Sequence, residues 1–270
     1  MSALLPERMV AKPWGCEVLP APFTAPPGQR IGEIWFEPPA ALDQLLVKYI
    51  FTSEKLSVQV HPSDEQALVL GGDGKEECWL VTAAEPGAVL GIGFRAALSA
   101  GDLRAAALDG SIEQLLVWHP VAPGDFFYIP AGTVHAIGPG VGLIEVQQNS
   151  DATYRLFDYG RPRELHLDAA VAVARAEPYA DPRRCRVPAR GAVVLVDGPL
   201  FRLLRYDGPL DPAAPAWLAP APVLVIPSAG TCAVGGEAVA AGQCALAAGP
   251  GDLVIAAGAL GLIAQPVSRP

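Results

Sequence analysis

The sequence predicts a fold dominated by β-strands, with only a few short helices. Runs of aromatic and β-branched residues at 45–51, 126–129 and 223–227 are typical of strands, and Gly, Pro and Asp residues bound them. At 56–62 apolar and polar residues alternate with the period of a strand. Short strands separated by turns favour a barrel or a sandwich over a helical bundle.

The segment 56–62 carries two polar side chains on one strand face. Gln59 and His61 point to one side, whereas Val58 and Val60 point to the other. Residues two apart on a strand have Cα atoms about 7 Å apart. Both polar groups can therefore reach one ion if their face lines the interior of a barrel. An exposed strand face would more often carry Lys, Glu or Thr than this pair.

His135 and Glu77 add a second imidazole and a carboxylate. His135 follows the turn at 130–132, and a backbone fixed by a Pro-x-Gly turn limits the entropy lost when the side chain binds an ion. Glu77 shares a strand face with Lys75 and Trp79. A buried carboxylate is unfavourable unless it is paired or coordinated.

Gln59, His61, Glu77 and His135 together form a mixed set of nitrogen and oxygen ligands. Such a set suits Zn²⁺ and can also hold Mn²⁺, Fe²⁺ or Co²⁺. Four protein ligands leave a further position for water or a substrate atom. The residues therefore predict a metal site without deciding which metal occupies it.

Four motifs resemble one protein family. Residues 124–135 fit Gly-x5-Pro-x-Gly-x2-His, which resembles the second conserved motif of the cupin superfamily. More narrowly, the chain resembles the zinc-dependent type I mannose-6-phosphate isomerases in their short bacterial form. The resemblance runs from about Trp14 to Arg161, and its motifs occur in the family's order. They are LSVQVHP, GKEECW, IPAGTVHAIG and QQNSDATYRLFDYGR.

This resemblance implies a double-stranded β-helix fold (cupin or jelly-roll). It implies one Zn²⁺ per chain on Gln59, His61, Glu77 and His135. The activity that it implies is an aldose–ketose isomerase of carbohydrate metabolism. Such an enzyme interconverts mannose 6-phosphate and fructose 6-phosphate by proton transfer through a cis-enediol(ate).

Two catalytic residues follow from the same resemblance. Arg155 matches the arginine of the family's Ser-Asp-x3-Arg pattern, and Lys75 matches the lysine two residues before the ligand glutamate. The chemistry of the residues leaves their roles open. The base can be Lys75, Asp151, Glu145 or a metal-bound hydroxide. Arg155 can stabilise an oxyanion or hold the phosphate.

Three further residues are expected to bind the substrate. Asp151 and Glu145 lie in or beside the motif that contains Arg155. Trp14 resembles the tryptophan of the family's Trp-Gly motif near the N-terminus, where it can stack on the sugar or pack in the core. His119 and His166 have no support from a motif.

Composition limits the classes of partner. The chain has 270 residues, of which 51% are hydrophobic and 17% are charged, so it can form a core and is not disordered. A net charge of −9 disfavours nucleic acid, and a sugar phosphate then needs a local positive site. Five cysteines without a CxxC pair predict a reduced, cytoplasmic chain. We expect no signal peptide, no membrane span, and a monomer or homodimer.

The chain is predicted to divide into three parts. Residues 1–162 form the catalytic barrel with a small helical insertion near 96–118, residues 163–192 form a helical connection, and residues 193–270 form a second, degenerate cupin-like barrel. The segment 251–258 resembles a faded copy of 124–132 that lacks both the proline and the histidine, and no histidine follows His166. We therefore expect two barrels, the second of them metal-free.

Local signals within these parts predict helices and a loop. Two short helices are expected in the insertion, with Ser99 and Ser111 as their N-caps, and one helix is expected over 165–176. The proline-rich stretch 205–222 predicts a surface loop.

Two other functions fit parts of the sequence. One is a non-catalytic cupin that binds a sugar or sugar phosphate, whose metal is structural or lost. The other is an iron-dependent cupin oxygenase, but such proteins commonly supply three histidines and a glutamate, and here Gln59 occupies one ligand place. Retention of Lys75 and Arg155 beside the ligands favours catalysis. A mannose isomerase that does not need the phosphate would carry the same motifs.

Overall fold

The computed structural model describes residues 2–70, 72–210, 218 and 221–267. Within these ranges strands far outnumber helices, which confirms the prediction of a mainly β fold. The strands are β1 (Ala3–Leu4), β2 (Glu7–Cys16), β3 (Ile31–Phe36), β4 (Leu45–Phe51), β5 (Val58–Val60), β6 (Glu77–Ala84), β7 (Val89–Phe94), β8 (Leu116–Pro120), β9 (Asp125–Ile129), β10 (His135–Ile137), β11 (Val141–Gln148), β12 (Tyr154–Phe157), β13 (Cys185–Arg186), β14 (Val193–Asp197), β15 (Phe201–Asp207), β16 (Val223–Ala229), β17 (Thr231–Val234), β18 (Glu237–Ala240), β19 (Ala245–Ala247), β20 (Leu253–Ile255) and β21 (Leu260–Pro266). The helices are α1 (Asp64–Leu70), α2 (Ala100–Asp109), α3 (Ile112–Leu115) and α4 (Leu167–Val173).

Two antiparallel sheets enclose the first interior. A seven-stranded sheet has the order β13-β9-β6-β11-β4-β3-β2, and a five-stranded sheet has the order β12-β5-β10-β7-β8. Side chains from both sheets form one buried cluster, in which Trp79 and Leu143 come from the larger sheet and Ile92 and Ile137 from the smaller. The outer face of the five-stranded sheet is covered by α2, α3 and α4, whose apolar residues pack on Val58.

Two more sheets lie on the side of the seven-stranded sheet that faces away from the first interior. A six-stranded sheet, β1-β19-β16-β21-β15-β14, packs on the second face of the seven-stranded sheet, where Phe36 and Tyr128 meet Phe201 and Leu224. A three-stranded sheet, β18-β17-β20, closes the far side. The seven-stranded sheet is therefore covered on both faces. The division into two cupin barrels with boundaries near 162 and 193 stays a prediction.

Each half of the chain contributes a strand to a sheet formed mostly by the other half. β1 pairs with β19, where Ala3 lies opposite Leu246. β13 pairs with β9, where Cys185 lies opposite Phe126. These short strands tie the six-stranded and seven-stranded sheets together at their edges.

The predicted helices form close to their expected positions, but one cap differs. The Ser99 side chain accepts a hydrogen bond from the backbone of Asp102 and caps α2. Ser111 precedes α3 in a helical conformation and forms no side-chain cap, so the prediction of a second serine cap was wrong. Its backbone is already helical, which turns the hydroxyl away from the free N–H groups.

Helix α1 was not predicted, although the sequence before it carries a capping signal. Before α1, the backbone N–H of Ser63 donates to Gln66 Oε1 at 2.9 Å, and the backbone N–H of Gln66 donates to Ser63 Oγ at 3.3 Å. This reciprocal pair is a capping box of the type Ser-x-x-Gln. The helix then leads the chain from His61 towards Glu77.

The proline-rich stretch 205–222 is not a loop throughout. Strand β15 continues to Asp207, so the predicted loop begins later than expected. Within that loop, residues 211–217 and 219–220 lie outside the described residues. Elsewhere in the described ranges, no helix has the length and apolar character needed to cross a membrane.

Candidate active site

Two facing sheets bring the predicted metal ligands together. His135 on β10 lies directly opposite Gln59 on β5 in the five-stranded sheet, and His61 follows β5 immediately. Glu77 is the first residue of β6 in the seven-stranded sheet across the interior. Because Val58 packs under the helices, Gln59 points into the interior as the alternation predicts.

His61, Glu77 and His135 form a compact buried cluster. One ligand atom from each lies within 4.8 Å of the others. The Nε2 atoms of His61 and His135 are both 3.4 Å from Glu77, each from a different carboxylate oxygen. Two imidazoles and a carboxylate at these separations can hold one divalent ion between them.

The outer nitrogen of each imidazole is already engaged. His61 Nδ1 donates to the carbonyl of Ala152 at 2.8 Å, and His135 Nδ1 donates to the carbonyl of Thr133 at 2.9 Å. In each neutral ring the proton is thereby held on Nδ1, and the lone pair of Nε2 faces Glu77. Such backbone hydrogen bonds orient histidines that act as metal ligands.

Glu77 shows why a cation fits this cluster. The residue is fully buried, and its Oε1 has no hydrogen-bond donor. Lys75 Nζ lies 2.9 Å from Oε2 as an ion pair and also donates to His61 Nε2 at 3.1 Å. The buried carboxylate is thus compensated on one oxygen only, and a divalent ion at the three ligands would stabilise the other.

Gln59 lies at the cluster with its amide nitrogen, not its oxygen, facing His135. Its Nε2 is 3.3 Å from His135 Nε2, and its Oε1 accepts from Ser57 Oγ at 3.2 Å. The oxygen is the atom that binds a metal, so coordination requires the amide to turn over. Ser57 can then accept from the amide nitrogen in place of donating to the oxygen.

Burial and charge set the protonation of the cluster. Burial and the Lys75 ammonium lower the pKa of His61 to about 4. Burial also lowers the pKa of His135. Although burial opposes ionisation of Glu77, Lys75 and both imidazoles hold its pKa well below the usual value. Neutral imidazoles beside an ionised carboxylate are the forms that bind metal.

These shifts predict a stability of the metal-free protein that depends on pH. A His61 pKa near 4 in the folded state, against about 6.5 when unfolded, means that only the unfolded state binds the proton between these values. The contribution of His61 to the free energy of unfolding is therefore present above pH 6.5 and is lost as the pH falls towards 4. We expect His61 to contribute a loss of about 2 kcal/mol between pH 7.5 and pH 5. Urea unfolding of the metal-free wild type and of His61→Asn measures it. An equally steep pH dependence in both proteins would contradict this origin.

A cavity of about 470 Å³ opens beside the cluster. Gln59 and Lys75 connect the two, because they contact the cluster and also line the cavity. Trp14 lines it too and is nearly fully buried, whereas Asp151 is exposed at its rim. The residues predicted for the site that line this cavity are Trp14, Gln59, Lys75, Glu145, Asp151 and Arg155.

Comparison with known proteins gives relatives in sequence and in fold. No protein-family model matches the chain. A relative from Streptococcus mutans, named mannose-6-phosphate isomerase, is 39% identical over 172 residues, which cover 60% of this chain and 54% of the relative. The chain spans about half the length of the curated relatives it matches.

Solved structures extend the likeness over the whole fold. The crystal structure of the mannose 6-phosphate isomerase from Bacillus subtilis has a TM-score of 0.80 at 24% identity and covers 98% of this chain and 99% of that one. A zinc-bound mannose 6-phosphate isomerase has a TM-score of 0.70 at 14% identity and covers 99% and 100%. This chain resembles mannose-6-phosphate isomerases in sequence and in fold. The resemblance predicted from the motifs is thus confirmed.

The cavity beside the cluster contains a buried ion pair that the sequence interpretation missed. Lys48 Nζ lies 3.1 Å from Glu145 Oε1 and 2.5 Å from Gln147 Oε1, and Trp79 Nε1 donates to the other oxygen of Glu145 at 3.0 Å. Lys48 also lies 4.5 Å from the ring centroid of Trp35. The sequence signal for this pair was Lys48 itself, which interrupts the apolar run 45–51. Lysine is rarely buried without a partner, so its position indicates a buried acidic residue nearby.

Arg155 lies on the same wall as the ligand strand. In the five-stranded sheet it is directly opposite Gln59. Its Nε is buried and has no hydrogen-bond partner, and no described residue forms an ion pair with it. The backbone N–H of Arg155 donates to His166 Nδ1 at 3.2 Å, so His166, which no motif supported, also belongs to this cavity.

A larger cavity, of about 530 Å³, lies elsewhere in the fold. It opens between the seven-stranded and six-stranded sheets and is lined by apolar residues such as Phe23 and Phe51. Its two arginines are already engaged: Arg186 pairs with Asp125 at 2.9 Å, and Arg205 donates to the carbonyls of residues 189 and 191. None of the predicted site residues lies there.

Proposed function

We propose that the protein is a zinc-dependent aldose–ketose isomerase that interconverts mannose 6-phosphate and fructose 6-phosphate. The observation that carries the proposal is the buried His61–Glu77–His135 cluster, in which one carboxylate oxygen has no donor, beside a cavity lined by Lys75 and Arg155. The relatives named mannose-6-phosphate isomerase support the choice of substrate.

The metal would be held by His61, Glu77 and His135, with the amide oxygen of Gln59 as a fourth ligand. Bound Zn²⁺ acts as a Lewis acid on sugar oxygens and stabilises the negative charge that develops on them. The zinc-bound isomerase of similar fold supports this choice of ion. The protein residues must then bind the sugar and carry the proton between C2 and C1.

Lys75 is the best placed proton carrier for the cis-enediol(ate) route. Its Nζ lies 3.1 Å from His61 Nε2, at the junction of cluster and cavity. The two oxygens of Glu145 are each occupied by a donor, Lys48 or Trp79, and Asp151 is exposed. Lys75 would lose its proton more readily beside a divalent cation, which disfavours the ammonium form.

Arg155 supplies a fixed positive charge to the same reaction. The guanidinium lines the cavity one strand away from Gln59. Its unused donors can bind sugar oxygens more strongly as negative charge grows on them in the transition state. Glu145, held by Lys48 and Trp79, offers a fixed acceptor to sugar hydroxyls, and Trp14 forms an apolar surface beside them.

We also propose a cellular location and partners for the protein. All five cysteines are free thiols, which is typical of a reducing compartment and supports a cytoplasmic location. We expect a small-molecule sugar phosphate as partner, and a monomer or homodimer.

Metal content and turnover together test the function. The purified chain should contain close to one zinc per molecule and should isomerise mannose 6-phosphate. Chelation should abolish the rate, and added Zn²⁺ should restore it. Bound metal without turnover of mannose 6-phosphate or free mannose would point instead to a sugar-binding cupin.

A further inference from the structure

One wall of the cavity is formed by basic groups from the end of β12 and the segment that follows it. Arg155, Arg163 and His166 all line the cavity there. The backbones of Arg155 and His166 are joined, because the N–H of His166 donates to the carbonyl of Arg155 at 2.8 Å. His166 Nδ1 accepts from the Arg155 backbone at 3.2 Å, so the proton of the neutral ring is on Nε2, which remains a donor.

Asp158 holds Arg163 in a fixed orientation. This aspartate is 2% exposed, and its two oxygens accept from Nε and Nη2 of Arg163, both at 2.6 Å. A two-point contact of this kind fixes the plane of the guanidinium. Nη1, on the opposite side of the group, is left to meet a ligand in the cavity.

Arg155 and Arg163 lie close enough to repel each other. Burial and the neighbouring charge of Arg163 lower the pKa of Arg155. Arg155 has no ion pair in the described part of the chain, and its Nε has no acceptor. Asp158 is paired with Arg163, and the charges of Asp158 and Glu164 act on Arg155 without forming an ion pair with it. The guanidinium of Arg155 is therefore left without a direct partner, and an anion is its natural ligand.

The three lysines of the cavity are each paired with a glutamate. Lys12 pairs with Glu33 at 3.1 Å, Lys48 with Glu145 at 3.1 Å and Lys75 with Glu77 at 2.9 Å. An anionic group entering the cavity is therefore favoured at the arginine wall over the opposite end.

We infer that Arg163, oriented by Asp158 and assisted by Arg155 and His166, binds the phosphate of the substrate and determines the preference for the phosphorylated sugar over free mannose. The inference rests on the proposed function. It also fits the geometry, because Arg155 is one strand spacing, about 4.8 Å, from the ligand strand. Arg163 lines the same cavity and does not contact the cluster, which leaves C1 and C2 to the metal ligands and the phosphate to the arginine.

Arg163→Gln in the zinc-loaded full chain tests this role. We expect kcat/KM for mannose 6-phosphate to fall roughly 100-fold, mainly through KM, because a charged hydrogen bond to the phosphate is lost. The rate on free mannose should change less than about 3-fold. Arg163→Lys, which keeps the charge but loses the two-point contact with Asp158, should be intermediate and guards against a folding defect.

Arg161→Gln is the matched control. Arg161 also pairs with Asp158, at 3.2 Å, but it does not line the cavity. This variant should keep the ratio of the two specificity constants. Calorimetric binding of inorganic phosphate supplies a second readout, and Arg163→Gln should weaken it about tenfold or more.

The outcomes separate this inference from the proposed function. An unchanged substrate ratio and unchanged phosphate affinity in Arg163→Gln would overturn the inference while leaving the isomerase intact. A wild type that turns over neither sugar would overturn the proposed function, and the phosphate titration would still decide whether Arg163 forms an anion site.

Discussion

His135→Ala is expected to lower bound zinc to less than about a tenth of the wild-type content and the isomerase rate roughly 1000-fold or more. His135 Nε2 is 3.4 Å from Glu77 and faces the same point as His61 Nε2, so its removal takes away one of three converging ligands. Metal analysis of the purified variant, followed by its turnover of mannose 6-phosphate with and without added Zn²⁺, gives both values.

His119→Ala is the control for that change. His119 is half-buried on β8, packs near Phe127 and Tyr179, and lies outside the cavity. Zinc content and rate should match the wild type. A His135→Ala protein that retains zinc and full turnover would exclude the cluster as the metal site.

Lys75→Met is expected to reduce kcat by about 1000-fold while zinc remains bound, because a positioned acid–base group contributes roughly 100- to 10,000-fold. Methionine has a similar length and no proton to transfer. The pKa of Lys75 is raised by Glu77 and Glu145 against the opposing effect of burial, which shows that both carboxylates lie near the ammonium. The rate on mannose 6-phosphate, measured beside zinc content, separates loss of catalysis from loss of metal.

Lys55→Met controls for removal of a positive charge. Lys55 pairs with Glu113 and lies near the rings of Trp118 and Tyr159, away from the metal ligands. Its replacement should leave kcat within about twofold, as expected for a partly exposed ion pair. If Lys75→Met keeps more than a tenth of the wild-type kcat, another group must carry the proton.

The candidate metal ligands can be predicted from the sequence because their signals are local. Gln59 and His61 share a strand face by simple alternation, and His135 follows a Pro-x-Gly turn that fixes its backbone. These short-range rules predict where a side chain points. The structure adds the convergence of Glu77 from the opposite sheet and the carbonyl partners of both imidazoles.

The rest of the cavity depends on contacts between distant parts of the chain. Lys48 and Glu145 are 97 residues apart and meet because β4 pairs with β11. No local pattern specifies this register. Arg163 lies in the irregular segment between β12 and α4, where neither strand nor helix periodicity applies. Its orientation becomes visible only with its contact to Asp158.

The position of the seven-stranded sheet has a consequence for sequence variation. Every residue of β4 and of β11 is buried, because other sheets cover both faces of these central strands. Neither strand has a solvent face on which substitutions could accumulate at little cost. Lys48 and Glu145 are charged residues in two of the least tolerant segments of the chain. Homologues should therefore change these two residues together or not at all, since the loss of one leaves a buried charge without its partner.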